Sequence, residues 1–149
     1  RRAAWEEEAV ARRPYAVRVE NSLDDLVARW LTVPDLCEDL ALDAGKVRRL
    51  IAEHWLVGAR QGERNVFAVP AEFLVAREPA PGAEGPDAAR WAVLASLRGT
   101  ITLLLDAGLD EAEAIEWLFS PSEELGSTPL EALRAGHKAP VRRAAQTLF

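Results

Sequence analysis

Residues 31–74 read LTVPDLCEDLALDAGKVRRLIAEHWLVGARQGERNVFAVPAEFL, and the reading of this stretch decides the fold. Thr32 is a helix cap, and Pro34 suits the first turn that follows, where a missing N–H costs nothing. Leu36, Cys37 and Leu40 recur at helical spacing and define one apolar face. Asp43 caps a second helix whose buried stripe is Val47, Leu50 and Ile51, while Lys46, Arg48, Arg49 and Ala52 take the opposite face. Beyond His54 and Trp55, two β-rich runs flank QGE, where Gly62 supplies the turn. Pro70 closes the second run and opens a short helical turn ending near Leu74.

Two helices joined by a tight turn, the second basic on its outer face, read as a helix-turn-helix. The hairpin placed directly after them reads as a wing with Arg60 and Arg64 beside its tip. The physical logic is that a helix fits the major groove and offers donors to base edges. A hairpin tip reaches the neighbouring backbone.

These residues carry a resemblance. The run from Trp30 to Leu74 resembles the winged helix-turn-helix of excisionases and MerR-type regulators. A fuller resemblance, over roughly residues 22–149, is to small actinobacterial DNA-binding proteins that pair such a winged half with a helical C-terminal half. It rests on WLTVPDLCEDLALDAGKVRRLI, VPAEFL, GTITLLLDAGLDEAEAIEWLF, TPLEALRAG and VRRAAQTLF. The segment 76–97 departs from that pattern in its length and its Pro, Gly and Ala content. A weaker resemblance links EAIEWLFSPSEELGSTPLEALRAG to a small helical domain of bacterial antitoxins.

At 149 residues, half of them hydrophobic, the chain can bury one medium core or two small ones. No apolar run approaches the eighteen or so residues of a membrane span, and no signal-peptide pattern is present. A cytoplasmic, nucleoid-associated protein is therefore expected. One cysteine excludes an internal disulfide, and with two isolated histidines it offers no zinc spacing. No phosphate-binding loop, nucleophile elbow or dinucleotide fingerprint appears, so no enzyme activity, metal or cofactor is expected.

The net charge of −6 argues mildly against nucleic acid, but its distribution argues the other way. Residues 44–64 hold Lys46, Arg48, Arg49, Arg60 and Arg64 against Glu53 and Glu63, a local charge of +3. Residues 106–124 hold Asp106, Asp110, Glu111, Glu113, Glu116, Glu123 and Glu124 and no base, a local charge of −7.

Residues 1–20 read as a flexible tail with a marginal helix over 3–12 stopped by Pro14; Arg12, Arg13 and Arg18 would make it a basic arm. A supporting helix is expected over 22–31, capped by Ser22, with Leu23, Leu26, Val27 and Trp30 inward. Pro79, Pro81, Gly82, Gly85 and Pro86 mark a linker. Helices are then expected over 88–97, 100–107, from Asp110 (with Glu113) to the Ser120-Pro121 break, from Thr128 to Ala135, and over 140–148.

The expected architecture is mostly α: tail 1–20, winged helix-turn-helix 21–76, linker 77–86 and helical interaction domain 87–149. The expected function is sequence-specific binding of double-stranded DNA, as a transcriptional regulator, through Ala44, Lys46, Arg48, Arg49, Arg60, Gln61 and Arg64. The alternatives are a DNA-architectural or recombination accessory protein and an antitoxin-like protein-interaction module. The C-terminal domain would bind a second copy or another protein.

The blander readings are these. An arginine pair on a helix more often marks a solvated face. Cys37 is a small buried hydrophobe, and the two histidines have surface or boundary roles. The acidic run 110–116 is a solvated face favoured by the helix dipole, and Trp91 and Trp117 are core residues.

Overall fold

Among the described residues, 19–149 of the computed structural model, seven α-helices and five short strands alternate with two single 3-10 turns. The helix over 3–12 and the arm of Arg12, Arg13 and Arg18 lie outside the described residues. So does the expected tail, except residues 19 and 20, which open α1 (Val19–Leu26).

Strand β1 (Trp30–Thr32) follows α1, then α2 (Val33–Leu40), α3 (Ala44–Ala52), β2 (Ala59–Gln61) and β3 (Val66–Pro70). The helix expected over 22–31 is thus corrected at both ends: Ser22 lies inside α1, and Trp30 and Leu31 are extended. The reason is tertiary. β3 offers an antiparallel partner, with Trp30 opposite Pro70 and Leu31 opposite Val69. An aromatic, a buried leucine and a β-branched threonine satisfy that pairing better than a further helical turn. β3 also pairs with β2, so the hairpin belongs to a three-stranded sheet ordered β1-β3-β2.

The two caps behave as their chemistry requires. The Thr32 hydroxyl accepts from the Asp35 amide while the Asp35 carboxylate accepts from the Thr32 amide at 3.0 Å, a reciprocal box. Asp43 accepts from the Lys46 amide at 2.8 Å. Each cap contributes about 1 kcal/mol. Between them Ala41 turns the chain in the left-handed region (φ 54), with the Leu42 amide donating to the Cys37 carbonyl.

After β3, a 3-10 turn (Ala71–Phe73) leads into β4 (Leu74–Ala76), which pairs antiparallel with β5 (Trp91–Val93). The linker expected over 77–86 is therefore the loop of a hairpin, closed by the Arg77 amide donating to the Arg90 carbonyl at 2.9 Å. The helix expected over 88–97 is replaced by a 3-10 turn (Gly85–Ala88) and β5. Trp91 and Val93 are typical strand formers, and β4 supplies the partner.

The remaining elements are α4 (Leu97–Asp106), α5 (Glu111–Phe119), α6 (Pro129–Arg134) and α7 (Lys138–Gln146). α4 runs unbroken through Gly99 and Thr100. Asp110 and Glu113 form the capping box of α5, and Thr128 caps α6.

One core runs through both halves. Leu23, Leu36, Val47, Leu56 and Phe73 belong to the same buried cluster as Leu97, Ile101, Ile115, Leu118, Leu130 and Val141. α1 packs on α5, and α2 meets β5. The Phe73 and Phe119 rings lie 5.8 Å apart at 47°. Arg134 donates to the carbonyls of Glu72 and Leu74 at 2.6 and 2.7 Å. The separation into modules joined by a linker is thus corrected: the Pro- and Gly-rich segment leaves and re-enters one packed body. Two smaller corrections follow. Glu116, expected on a solvated face, is buried, and Trp91, expected in the core, is 41% exposed.

Candidate nucleic-acid interface

Val47 fastens α3 to the core with no exposed surface, and Leu50 and Ile51 flank it half-buried. With 3.6 residues per turn, the opposite meridian carries Gly45, Arg49 and Ala52, with Lys46 and Arg48 on its two sides. Lys46, Arg48 and Arg49 are all exposed, and Ala44 is half-buried at the first turn. Small residues above and below Arg49 leave the helix surface open for close approach. Among the described residues, the side chains of Lys46 and Arg48 have no hydrogen-bond or ion-pair partner. Arg49 has one, the Glu53 carboxylate at 3.7 Å.

The C-terminal end of α3 is closed by backbone and by a distant side chain. His54 takes the left-handed conformation (φ 63), and the Trp55 amide donates back to the Leu50 carbonyl at 2.9 Å. Arg98, from the first turn of α4, donates to the Glu53 carbonyl at 3.0 Å, and its guanidinium lies 4.6 Å from the centre of the Trp55 ring. Nothing in the local sequence marks this link. It joins residues 45 positions apart, and the only signal was an arginine opening an otherwise apolar helix.

The β2–β3 hairpin turns through residues 62–65, with Gly62 (φ 74) and Asn65 (φ 53) in the left-handed region. Arg60 and Arg64 are exposed and Gln61 is half-buried. Arg60 donates to the Asn65 carbonyl across the tip at 3.1 Å, and Gln61 donates to the Arg60 carbonyl at 2.8 Å. Arg60 thus braces the hairpin and Gln61 is tied to its neighbour's carbonyl, whereas the Arg64 side chain makes no hydrogen bond or ion pair among the described residues. At the hairpin base Gly58 faces Phe67 and Ala68 so closely that a Cβ would collide with the Ala68 carbonyl and the Phe67 ring.

The geometry therefore brings Lys46, Arg48 and Arg49 together on one helix, and Arg60 and Arg64 on one hairpin that follows it. No group of three or more histidine, cysteine or carboxylate side chains is placed to hold a metal among the described residues. No helix among them is long and apolar enough to cross a membrane.

Residues 94–148, which contain α4 to α7, match the family described as the Rv2175c C-terminal domain of unknown function. The fold is similar to the NMR structure of Rv2175c, a mycobacterial protein, with a TM-score of 0.61. The two are 25% identical, and the match covers 81% of this chain and 82% of that chain. No curated protein matches the chain. The Rv2175c-like segment begins at residue 94, directly after β5, and supplies Arg98, the residue that fastens the end of α3.

Proposed function

We propose that the chain is a winged helix-turn-helix protein that binds double-stranded DNA with sequence preference and acts as a transcriptional regulator. In this reading α2 and α3 are the helix pair, α3 is the recognition helix, and β2–β3 is the wing. The observation that carries it is the surface of α3: Arg49 between the small residues Gly45 and Ala52, flanked by Lys46 and Arg48, on a helix held to the core by Val47. A base-rich helix face with small neighbours can sit deep in a major groove about 12 Å wide. The wing follows on the same body, with Arg64 at its tip available for a phosphate. Of the acidic residues between 106 and 124, Glu111 shares a hollow with Ile51 and His54, on the side of α3 turned away from Arg49, so a net negative protein can still present a positive face there.

Selection of bound sequences from a random duplex pool tests the reading. A shared motif is expected among the survivors. The Lys46→Ala, Arg48→Ala, Arg49→Ala triple variant should lose that preference, at about 1–3 kcal/mol for each residue that reads a guanine. Unchanged affinity and preference in the triple variant would overturn the reading.

A further inference from the structure

We infer that the groove between α4 and α7 is a second phosphate-docking surface, one that extends the DNA contact of α3 onto the C-terminal half. This inference rests on the DNA-binding reading of α3. Two adjoining hollows of about 450 and 180 Å³ share Gly99 and Arg142 as walls. Their cations are Arg98, Lys138 and Arg142, and among the described residues no carboxylate lines either one. Gly99 adds no side chain, and the space above it is open. Among the described residues, the side chains of Lys138 and Arg142 have no hydrogen-bond or ion-pair partner. In a chain with 24 acidic residues against 18 basic ones, a groove whose charged walls among the described residues are all cationic favours an anion. The sequence repeats the asymmetry: residues 132–149 contain Arg134, Lys138, Arg142 and Arg143 and no acid.

The occupant is argued from continuity. Arg98 lines the groove and also donates to the Glu53 carbonyl at the end of α3, so groove and recognition helix meet at one residue. α3 has nine residues and is therefore about 13 Å long, comparable to the width of the major groove it would enter. The phosphates bordering that groove then pass just beyond the end of the helix. Lys138 and Arg142 line the groove that Arg98 joins to that end, and as cations without a side-chain partner among the described residues they suit backbone contact and not base readout.

The test uses the full chain and a labelled mixed-sequence duplex, titrated by fluorescence anisotropy across a range of salt. The variant is Lys138→Gln with Arg142→Gln; both side chains are exposed, and Arg98 stays intact. Loss of two phosphate contacts should flatten the log–log salt dependence by roughly 1.8 units. Sequence preference, read by the pool selection above, should stay as in the unsubstituted chain. A variant that binds with unchanged slope, while the α3 triple variant fails to bind, would overturn the groove alone. An unsubstituted chain that shows no salt-dependent duplex binding overturns the α3 reading and the groove together. A groove variant that keeps its slope but loses self-association in sedimentation would assign the groove to the acidic surface of a second copy, and so also overturn the inference. Circular dichroism of the variant, expected to match the unsubstituted chain, guards against a folding defect. If it does not match, the single variants Lys138→Gln and Arg142→Gln should each flatten the slope by about 0.9 units.

Discussion

Arg98 donates from Nε to the carbonyl of Glu53 at 3.0 Å and stacks on Trp55, so the last turn of the candidate recognition helix is held from the C-terminal half. The Glu53 carbonyl is one of the groups a helix end leaves without an internal partner, and a charged donor suits the negative end of the dipole. Arg98→Ala should destabilise the fold by about 1–2 kcal/mol, from one charge-assisted hydrogen bond and one exposed cation–π contact. Denaturant unfolding measures that loss. Amide exchange at Glu53, His54 and Trp55 should accelerate more than elsewhere in α3. Uniform acceleration along the helix would contradict a local clamp.

Arg49 is held by Glu53 one turn on, at 3.7 Å, with both side chains well exposed. Such a pair adds at most about 0.5 kcal/mol to stability. Its consequence for binding is larger, because Glu53 must release Arg49 and then remain near phosphates of its own sign. Glu53→Gln should therefore leave stability nearly unchanged and tighten duplex binding a few-fold at low salt. The gain should shrink as salt rises toward about 1 M, where screening acts within about 3 Å. Anisotropy titrations at two salt concentrations decide this, and weaker binding in the variant would contradict it.

The two arginines of the β2–β3 hairpin should differ. Arg64 lies at the tip with no side-chain partner among the described residues, whereas Arg60 is engaged with the Asn65 carbonyl. Arg64→Ala should lower the salt slope by roughly 0.9 units and weaken all duplex sequences alike. Arg60→Ala should in addition loosen the tip, seen as faster exchange of the Asn65 amide, which bonds the Gly62 carbonyl at 3.1 Å. A changed sequence preference in Arg64→Ala would mean that the tip reads bases.

What the sequence made legible was local. Thr32, Asp43, Asp110 and Thr128 announce their helices because a capping side chain acts within three residues. Gly62 announces its turn for the same reason, and the spacing of Val47 from Arg49 fixes which face of α3 is outward. The extended segments β1, β4 and β5 were illegible, because each is three residues long and owes its conformation to a partner 15 to 40 residues away. Proline and glycine between 79 and 86 read as a linker when they are the loop of a hairpin; composition cannot distinguish the two. Arg98 was missed and Glu116 misplaced by the same gap. An exposed clamp and a buried carboxylate look alike in a helical pattern until the packing partner is known.

Phe73 and Phe119 make the last prediction, which concerns the unity of the fold. Phe73 is fully buried at the end of the 3-10 turn, and Phe119 reaches it from the end of α5. Arg134 binds the carbonyls of Glu72 and Leu74 on either side of Phe73, so the contact is fixed from two directions. The halves then share apolar burial that neither can supply alone. A fragment over 87–149 would expose Ile101, Leu118 and Phe119 where they face the N-terminal half or its cluster, and should fail to melt cooperatively. In the full chain, Phe119→Ala removes an aromatic ring from a closed core and should cost about 3–5 kcal/mol. Its effect should reach α3. Thermal melts followed by the near-ultraviolet signal, which reports Trp30, Trp55, Trp91 and Trp117, and by far-ultraviolet helicity should coincide and shift together. Two separated transitions, or a fragment over 87–149 with a sharp helical melt of its own, would show that the halves fold as independent units.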